Sequence, residues 1–185
     1  MMVGAAAGAT AALLRMPARA EAVLTDDGLY KQPWFLESFL ELGDDLEGAA
    51  KSGKRFAIMW ELRGCPYCRE THLVNFARPD IEDFIKANFA ILQLNIIGSR
   101  RVTDFDGAEI SEKALAAKYG VRFTPNVQFF PASLTGLAAK APDKREVARA
   151  PGYLRPDDFL ALFRFVTEKE YEIKSFRDYL RSARS

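Results

Sequence analysis

The sequence predicts an α/β domain in which a strand, a helix and a second strand follow one another around a pair of cysteines. Three observations carry this. Phe56-Ala57-Ile58-Met59-Trp60 is a short apolar run with β-branched and aromatic residues, the pattern of a buried strand. At Gly64-Cys65-Pro66-Tyr67-Cys68 it gives way to apolar or small residues at helical spacing from Tyr67 to Phe76, and a second buried strand is expected from Phe89 to Ile97. Thr124-Pro125 then stands at the head of a further strand running to Phe130, where a proline is tolerated at the first position or on an edge.

In chain order, Val3 to Leu14 is an apolar, small-residue stretch followed by Ala18-Arg19-Ala20, the pattern of a secretory leader cleaved before Glu21. It is too short to span a bilayer; a disordered or helical alanine-rich N-terminus is the alternative. Residues 1–20 are therefore assigned as a leader and the mature chain to the periplasm, with no membrane insertion once the leader is gone. Removal takes away Arg15 and Arg19 and moves the formal charge from +1 to about −1, a balance that points to neither nucleic acid nor a membrane surface. The rest suffices for one packed domain, and 49% hydrophobic residues fit a globular core.

Residues 21–53 are expected to form a helical extension, with a helix from Lys31 to Lys54 burying Trp34, Phe35, Phe39, Leu40 and Leu46. After the cysteine helix, Arg78-Pro79-Asp80 starts a helix that runs through Ile81 to Phe89, and the strand, helix, strand order makes a parallel βαβ unit. Residues 98–110 are an insertion, read as a hairpin turning at Asp106-Gly107 and suited either to partner recognition or to a solvated loop. Ser111 caps a helix that Gly120 stops. Glu146 to Ala150 reads as a strand after a polar turn, Arg155 to Glu170 as an amphipathic helix, and residues 171–185 as a short helical tail.

The chemistry lies in Cys65 and Cys68, the only two cysteines of the chain. Pro66 suits the first turn of a helix, which places Cys65 at the N-cap and Cys68 one turn in. The helix N-terminus favours a thiolate on the first cysteine, with neighbouring Arg63 as a further source of positive charge, so Cys65 is the nucleophile. Cys68 then attacks the mixed disulfide and releases the reduced substrate. The alternatives are a structural disulfide, which would constrain little across so short a loop, and half of a zinc site, for which the chain offers only His72 as a further soft ligand. Cys65, Cys68 and His72 could together hold a Cu(I) ion, the binding-protein reading of the same residues.

The strand, the Cys65-Pro66-Tyr67-Cys68 motif on a helix, and Thr124-Pro125 ahead of the next strand resemble the thioredoxin superfamily over about residues 54–170. The resemblance implies a central mixed, mostly antiparallel sheet with helices on both faces, helical additions at each end, and a cis-proline loop at Thr124-Pro125 that pairs with the substrate chain beside Gly64 and the cysteines. Within it the chain is similar to secreted sulfur-oxidation (SoxW-like) proteins, on the motif with His72, on Gln93-Leu94-Asn95, on Val102-Thr103-Asp104-Phe105-Asp106-Gly107 and on Pro151-Gly152-Tyr153. This implies a reductase with no cofactor beyond its redox-active disulfide. Its substrate would be a cysteine-containing protein and its electron donor a membrane protein. An oxidative folding catalyst is the alternative. The family's usual buried aspartate is replaced by Met59, and Glu61, two residues on, takes the part of proton acceptor or is a surface carboxylate. Pro66-Tyr67 is also the dipeptide of glutaredoxins, echoed only by Gly152 with Asp157-Asp158.

Overall fold

The computed structural model describes residues 21–183; the leader assignment, on residues 1–20, lies outside them. A short antiparallel hairpin, β1 (Val23–Leu24) and β2 (Tyr30–Lys31), leads through an irregular segment to α1 (Leu42–Lys51). Then come β3 (Arg55–Glu61), α2 (Pro66–Glu70) continued by a π-helical turn at Thr71–Asn75, α3 (Pro79–Asn88) and β4 (Phe89–Asn95). The insertion is the hairpin β5 (Arg101–Thr103) and β6 (Glu109–Ser111), followed by α4 (Glu112–Lys118). The chain closes with β7 (Asn126–Phe129), β8 (Ala148–Pro151), α5 (Pro156–Thr167) and α6 (Phe176–Ala183).

Four strands form the central sheet in the order β4-β3-β7-β8. β3 and β4 are parallel, while β3 with β7 and β7 with β8 are antiparallel, the mixed and mostly antiparallel arrangement expected. Helices cover both faces, which is why β3 reads as a nearly unbroken apolar run. Alternation along β3 sends Phe56, Ile58 and Trp60 to the side of α1 and α4, with Leu46, Leu115 and Phe130. Ala57 and Met59 face the other side, packed with Ile81, Ile85, Phe129, Phe159 and Phe163 from α3, β7 and α5. Glu61, next on that second face, stands at the strand's C-terminal end, where the cysteine helix begins.

The extension departs from the expected helix. Only Leu42–Lys51 is helical, and residues 32–40 run along the edge of the sheet, where the Leu36 N–H donates to the Ile91 carbonyl of β4 at 2.8 Å. Pro33 has no N–H to give to a helix, and the open edge of β4 supplies a partner that a local helix would forgo. Phe35 and Leu46 are buried as anticipated, Trp34 and Leu40 only partly, and Phe39 is 99% exposed. Leu40 has a left-handed backbone, φ 66°, and its carbonyl accepts the Thr103 N–H from the insertion at 2.9 Å.

The insertion is not a loose loop. The buried Arg145 guanidinium reaches Asp104 at 2.8 Å and Asp106 at 2.9 Å, Lys118 lies 2.6 Å from both carboxylates, and the Tyr119 hydroxyl donates to Asp104 at 2.7 Å. Ser111 caps α4 by accepting the Ala114 N–H, and Gly120, φ 64°, ends it. No helix among the described residues is long and apolar enough to cross a membrane.

Candidate active site

Cys65 is the N-cap of α2 with Pro66 in the first turn, so the local sequence sets the geometry of the pair. The Cys65 Sγ accepts the Cys68 N–H at 3.2 Å, and its S–H donates to the Thr124 carbonyl at 3.6 Å. Cys65 is partly exposed whereas Cys68 is buried, and both are thiols. Gly64, φ 73°, makes the left-handed turn into the motif. Thr124-Pro125 is a cis peptide, and the Pro125 carbonyl accepts the Gly152 N–H at 2.8 Å, tying the Gly152-Tyr153 loop to the site. Tyr67, between the cysteines, is exposed and its ring stacks on Tyr153 at 5.8 Å. A cavity of about 360 Å³ opens beside the pair, walled on one side by Leu24, Gly28 and Tyr30 of the N-terminal hairpin and on the other by Glu61, Cys65 and Cys68.

Arg63 reaches the N-terminal hairpin. Its Nε donates to the Asp27 carbonyl at 3.0 Å and its stem lies over Gly28, where a Cβ would meet Arg63 Cγ at 2.8 Å. It clamps the N-terminal hairpin onto the motif loop, because the hairpin offers a fixed carbonyl within reach.

Glu61 is not a surface carboxylate; it is fully buried. His72 Nε2 lies 2.8 Å from Glu61 Oε1, and Gln93 Nε2 donates to Oε2 and also to the Tyr30 carbonyl. The other ring nitrogen of His72, Nδ1, meets Gln32 Nε2 at 3.3 Å, and the same Gln32 nitrogen donates to the His72 carbonyl at 3.2 Å. His72 belongs to the π-helical turn, in which Thr71, His72 and Asn75 are all buried.

Burial raises the Glu61 pKa above the usual carboxylate range, although hydrogen bonds from His72 and Gln93 pull the other way. Cys68 is held well above the ordinary thiol range, first by burial, then by its hydrogen bond with Cys65 and by the charge of Glu61. Cys68 therefore stays a thiol until a base takes its proton.

The set of Cys65, Cys68 and His72 is not assembled around a common point. Both ring nitrogens of His72 are engaged, by Glu61 and Gln32, and among the described residues no three Cys, His, Asp or Glu side chains are grouped to hold a metal ion. The sequence assigned no part in the site to Tyr30 or Gln32, and to Gln93 only a place in the resemblance. Gln93 carried a signal, as a polar residue inside an apolar strand; Gln32, forty residues from its partner, carried none.

A protein-family model described as a thioredoxin-like domain matches residues 42–167. No curated protein matches the chain. Among solved structures, a thioredoxin-fold protein from Helicobacter pylori is 22% identical, with 75% of this chain and 88% of that one covered and a TM-score of 0.49. A thioredoxin from Thermus thermophilus is also 22% identical, over 66% of this chain and 81% of that one, at a TM-score of 0.49. The oxidised DsbD C-terminal domain from Neisseria meningitidis is 16% identical, over 66% and 90%, at 0.43. Since the family model spans well over half of the sequence and contains both cysteines, the chain belongs to the thioredoxin-like domain family.

Proposed function

We propose that the protein is a thiol-disulfide oxidoreductase that reduces protein disulfides through Cys65 and Cys68. The observation that supports this most directly is the asymmetry of the pair: a partly exposed sulfur at a helix N-cap, backed one turn later by a buried thiol. The Cys65 thiolate attacks one sulfur of the substrate disulfide, that S–S bond breaks, and the other substrate sulfur leaves as a thiolate. Cys68 gives its proton to Glu61 and attacks Cys65 Sγ, which expels the second substrate thiolate. The substrate gains two electrons and the protein is left with a Cys65–Cys68 disulfide.

Gly64 and the main chain at Thr124 and Pro125 would seat the substrate chain as an added strand, which gives affinity with little sequence dependence. Tyr67 and Tyr153 extend that face. In keeping with the resemblance to sulfur-oxidation proteins, the compartment proposed is the periplasm, the substrate a cysteine-containing protein, and the source of electrons the dithiol of a membrane protein.

The reduction potential of the pair, equilibrated against glutathione and dithiothreitol, tests the direction. A value near about −270 mV is expected of a reductant, whereas one near about −120 mV would make the protein an oxidant of folding chains. Cys68→Ser should accumulate the substrate as a mixed disulfide on Cys65; absence of any covalent protein partner from the native compartment would count against protein disulfides as substrate.

A further inference from the structure

We propose that the segment Tyr30 to Gln32, which precedes the matched family region, is a working part of the redox centre: Gln32 selects the His72 tautomer that holds Glu61 as the proton acceptor for Cys68. This rests on the oxidoreductase reading of the cysteine pair. The argument begins at Gln32. Its side-chain nitrogen faces two atoms, the His72 carbonyl and His72 Nδ1. A carbonyl only accepts, so the Gln32 amide must present N–H on that side, and Nδ1 beside it is left as an acceptor. A hydrogen on Nδ1 would oppose a second donor. The ring hydrogen therefore sits on Nε2, which donates to Glu61 Oε1 at 2.8 Å.

Gln93 fixes the other oxygen in the same sense, with its own nitrogen oriented by the Tyr30 carbonyl. The His72 ring and the Gln93 amide, oriented by Gln32 and by the Tyr30 carbonyl respectively, thus point two N–H groups at one carboxylate that has no exposure to solvent. Burial alone would drive Glu61 to its neutral acid, and the donors oppose that shift. An ionised oxygen still has lone pairs to take the Cys68 proton, since each carboxylate oxygen accepts more than one hydrogen bond. Tyr30 and Gln32 are held in place by the β1–β2 hairpin, itself clamped by Arg63. The ionisable groups around Glu61 are Cys65 and Cys68 from α2, His72 from the π-helical turn, Tyr30 from β2, and Arg69 on the shared cavity. Beyond β4, Arg100 is taken up by Glu112 at 2.6 Å. Gln32 is a positioning residue, acting on Cys68 through His72 and Glu61.

His72 is the only histidine in the chain, so its ring can be read without ambiguity. Long-range nitrogen–proton correlation spectra at pH 7 should show the neutral ring with its hydrogen on Nε2; a hydrogen on Nδ1, or a doubly protonated ring, would overturn the proposal without any variant. Kinetically, the dithiol protein is mixed with 5,5′-dithiobis(2-nitrobenzoate) between pH 5 and 9. The first coloured thiolate is released by attack of Cys65, the second by attack of Cys68 on the mixed disulfide. In Gln32→Leu the ratio of the second rate to the first should fall roughly tenfold at pH 7, less than the roughly 10²–10⁴-fold that losing a general base outright costs, because Glu61 itself remains. The pH midpoint of the second release should also rise. An unaltered ratio and midpoint in folded Gln32→Leu would refute the proposal. Glu61→Gln separates the layers: a normal second release there removes the proton-acceptor role and this inference with it, while failure of the wild-type protein to release a second equivalent refutes the oxidoreductase reading itself.

Discussion

Replacing Arg145 with methionine should unfold the protein about 3 kcal/mol more easily while leaving the cysteine pair intact. The guanidinium is buried and makes five contacts: Asp104 at 2.8 Å, Asp106 at 2.9 Å, the Tyr119 oxygen at 3.2 Å, and the carbonyls of Lys140 at 3.0 Å and Ala138 at 3.1 Å. Methionine retains the apolar stem but removes every donor. The loss of one member of a buried ion pair costs about 3–5 kcal/mol because the remaining charge is stranded. Here the lower end applies, since Lys118 still stands 2.6 Å from Asp104 and the Tyr119 hydroxyl still donates to it. For a chain of this length each kcal/mol lowers Tm by about 2–4 °C, so a fall of about 6–12 °C is expected. Urea unfolding followed by the fluorescence of Trp60, which is fully buried, measures the same quantity at equilibrium. A loss below about 1 kcal/mol would show that these charges are effectively solvated and that the insertion is not anchored through them. None of the residues Arg145 touches lines the cavity at Cys65, so both thiolate releases should keep their wild-type rates.

Gly98→Ala should be destabilising by about 2 kcal/mol, because a Cβ there would lie 2.6 Å from Glu112 Cδ and displace a buried carboxylate that accepts the Asn95 N–H and pairs with Arg100; a urea midpoint equal to wild type would contradict this. The second thiolate release should slow as pH falls through the raised pKa of Glu61, since the protonated acid cannot take the Cys68 proton, and Glu61→Gln should abolish that acid limb. Asp106, whose carboxyl is held below the ordinary range by Lys118 and Arg145, contributes stability that is complete above its unfolded pKa of about 4 and is lost as pH falls through its lower folded value; Asp106→Asn should remove this part of the acid sensitivity in a pH series of urea midpoints.

Much of the architecture is written locally. The run ending at Trp60, the proline after Cys65, the serine ahead of Glu112 and the glycine at 120 each state a strand, a helix start or a stop, and the structure has those elements within a few residues of where the patterns put them. The extension is the exception. Its aromatic residues have helical spacing, yet the chain at 32–40 is not helical and meets β4, where an open carbonyl of the edge strand, that of Ile91, takes the Leu36 N–H.

The candidate site divides along the same line. Cys65, Cys68, Gly64 and the proline ahead of β7 follow from a motif that nearest neighbours along the chain dictate, since an N-cap and one helical turn suffice to place two sulfurs together. The surroundings of Glu61 were decided by tertiary structure alone. Its partners come from β4 and the π-helical turn, the first of them held in turn by a carbonyl of β2, and its neighbour on the loop, Arg63, donates to a carbonyl thirty-six residues earlier. A carboxylate in water and one sealed under three elements are the same letter in a sequence; only burial and the donors that reach it decide whether it is a solvated charge or a base.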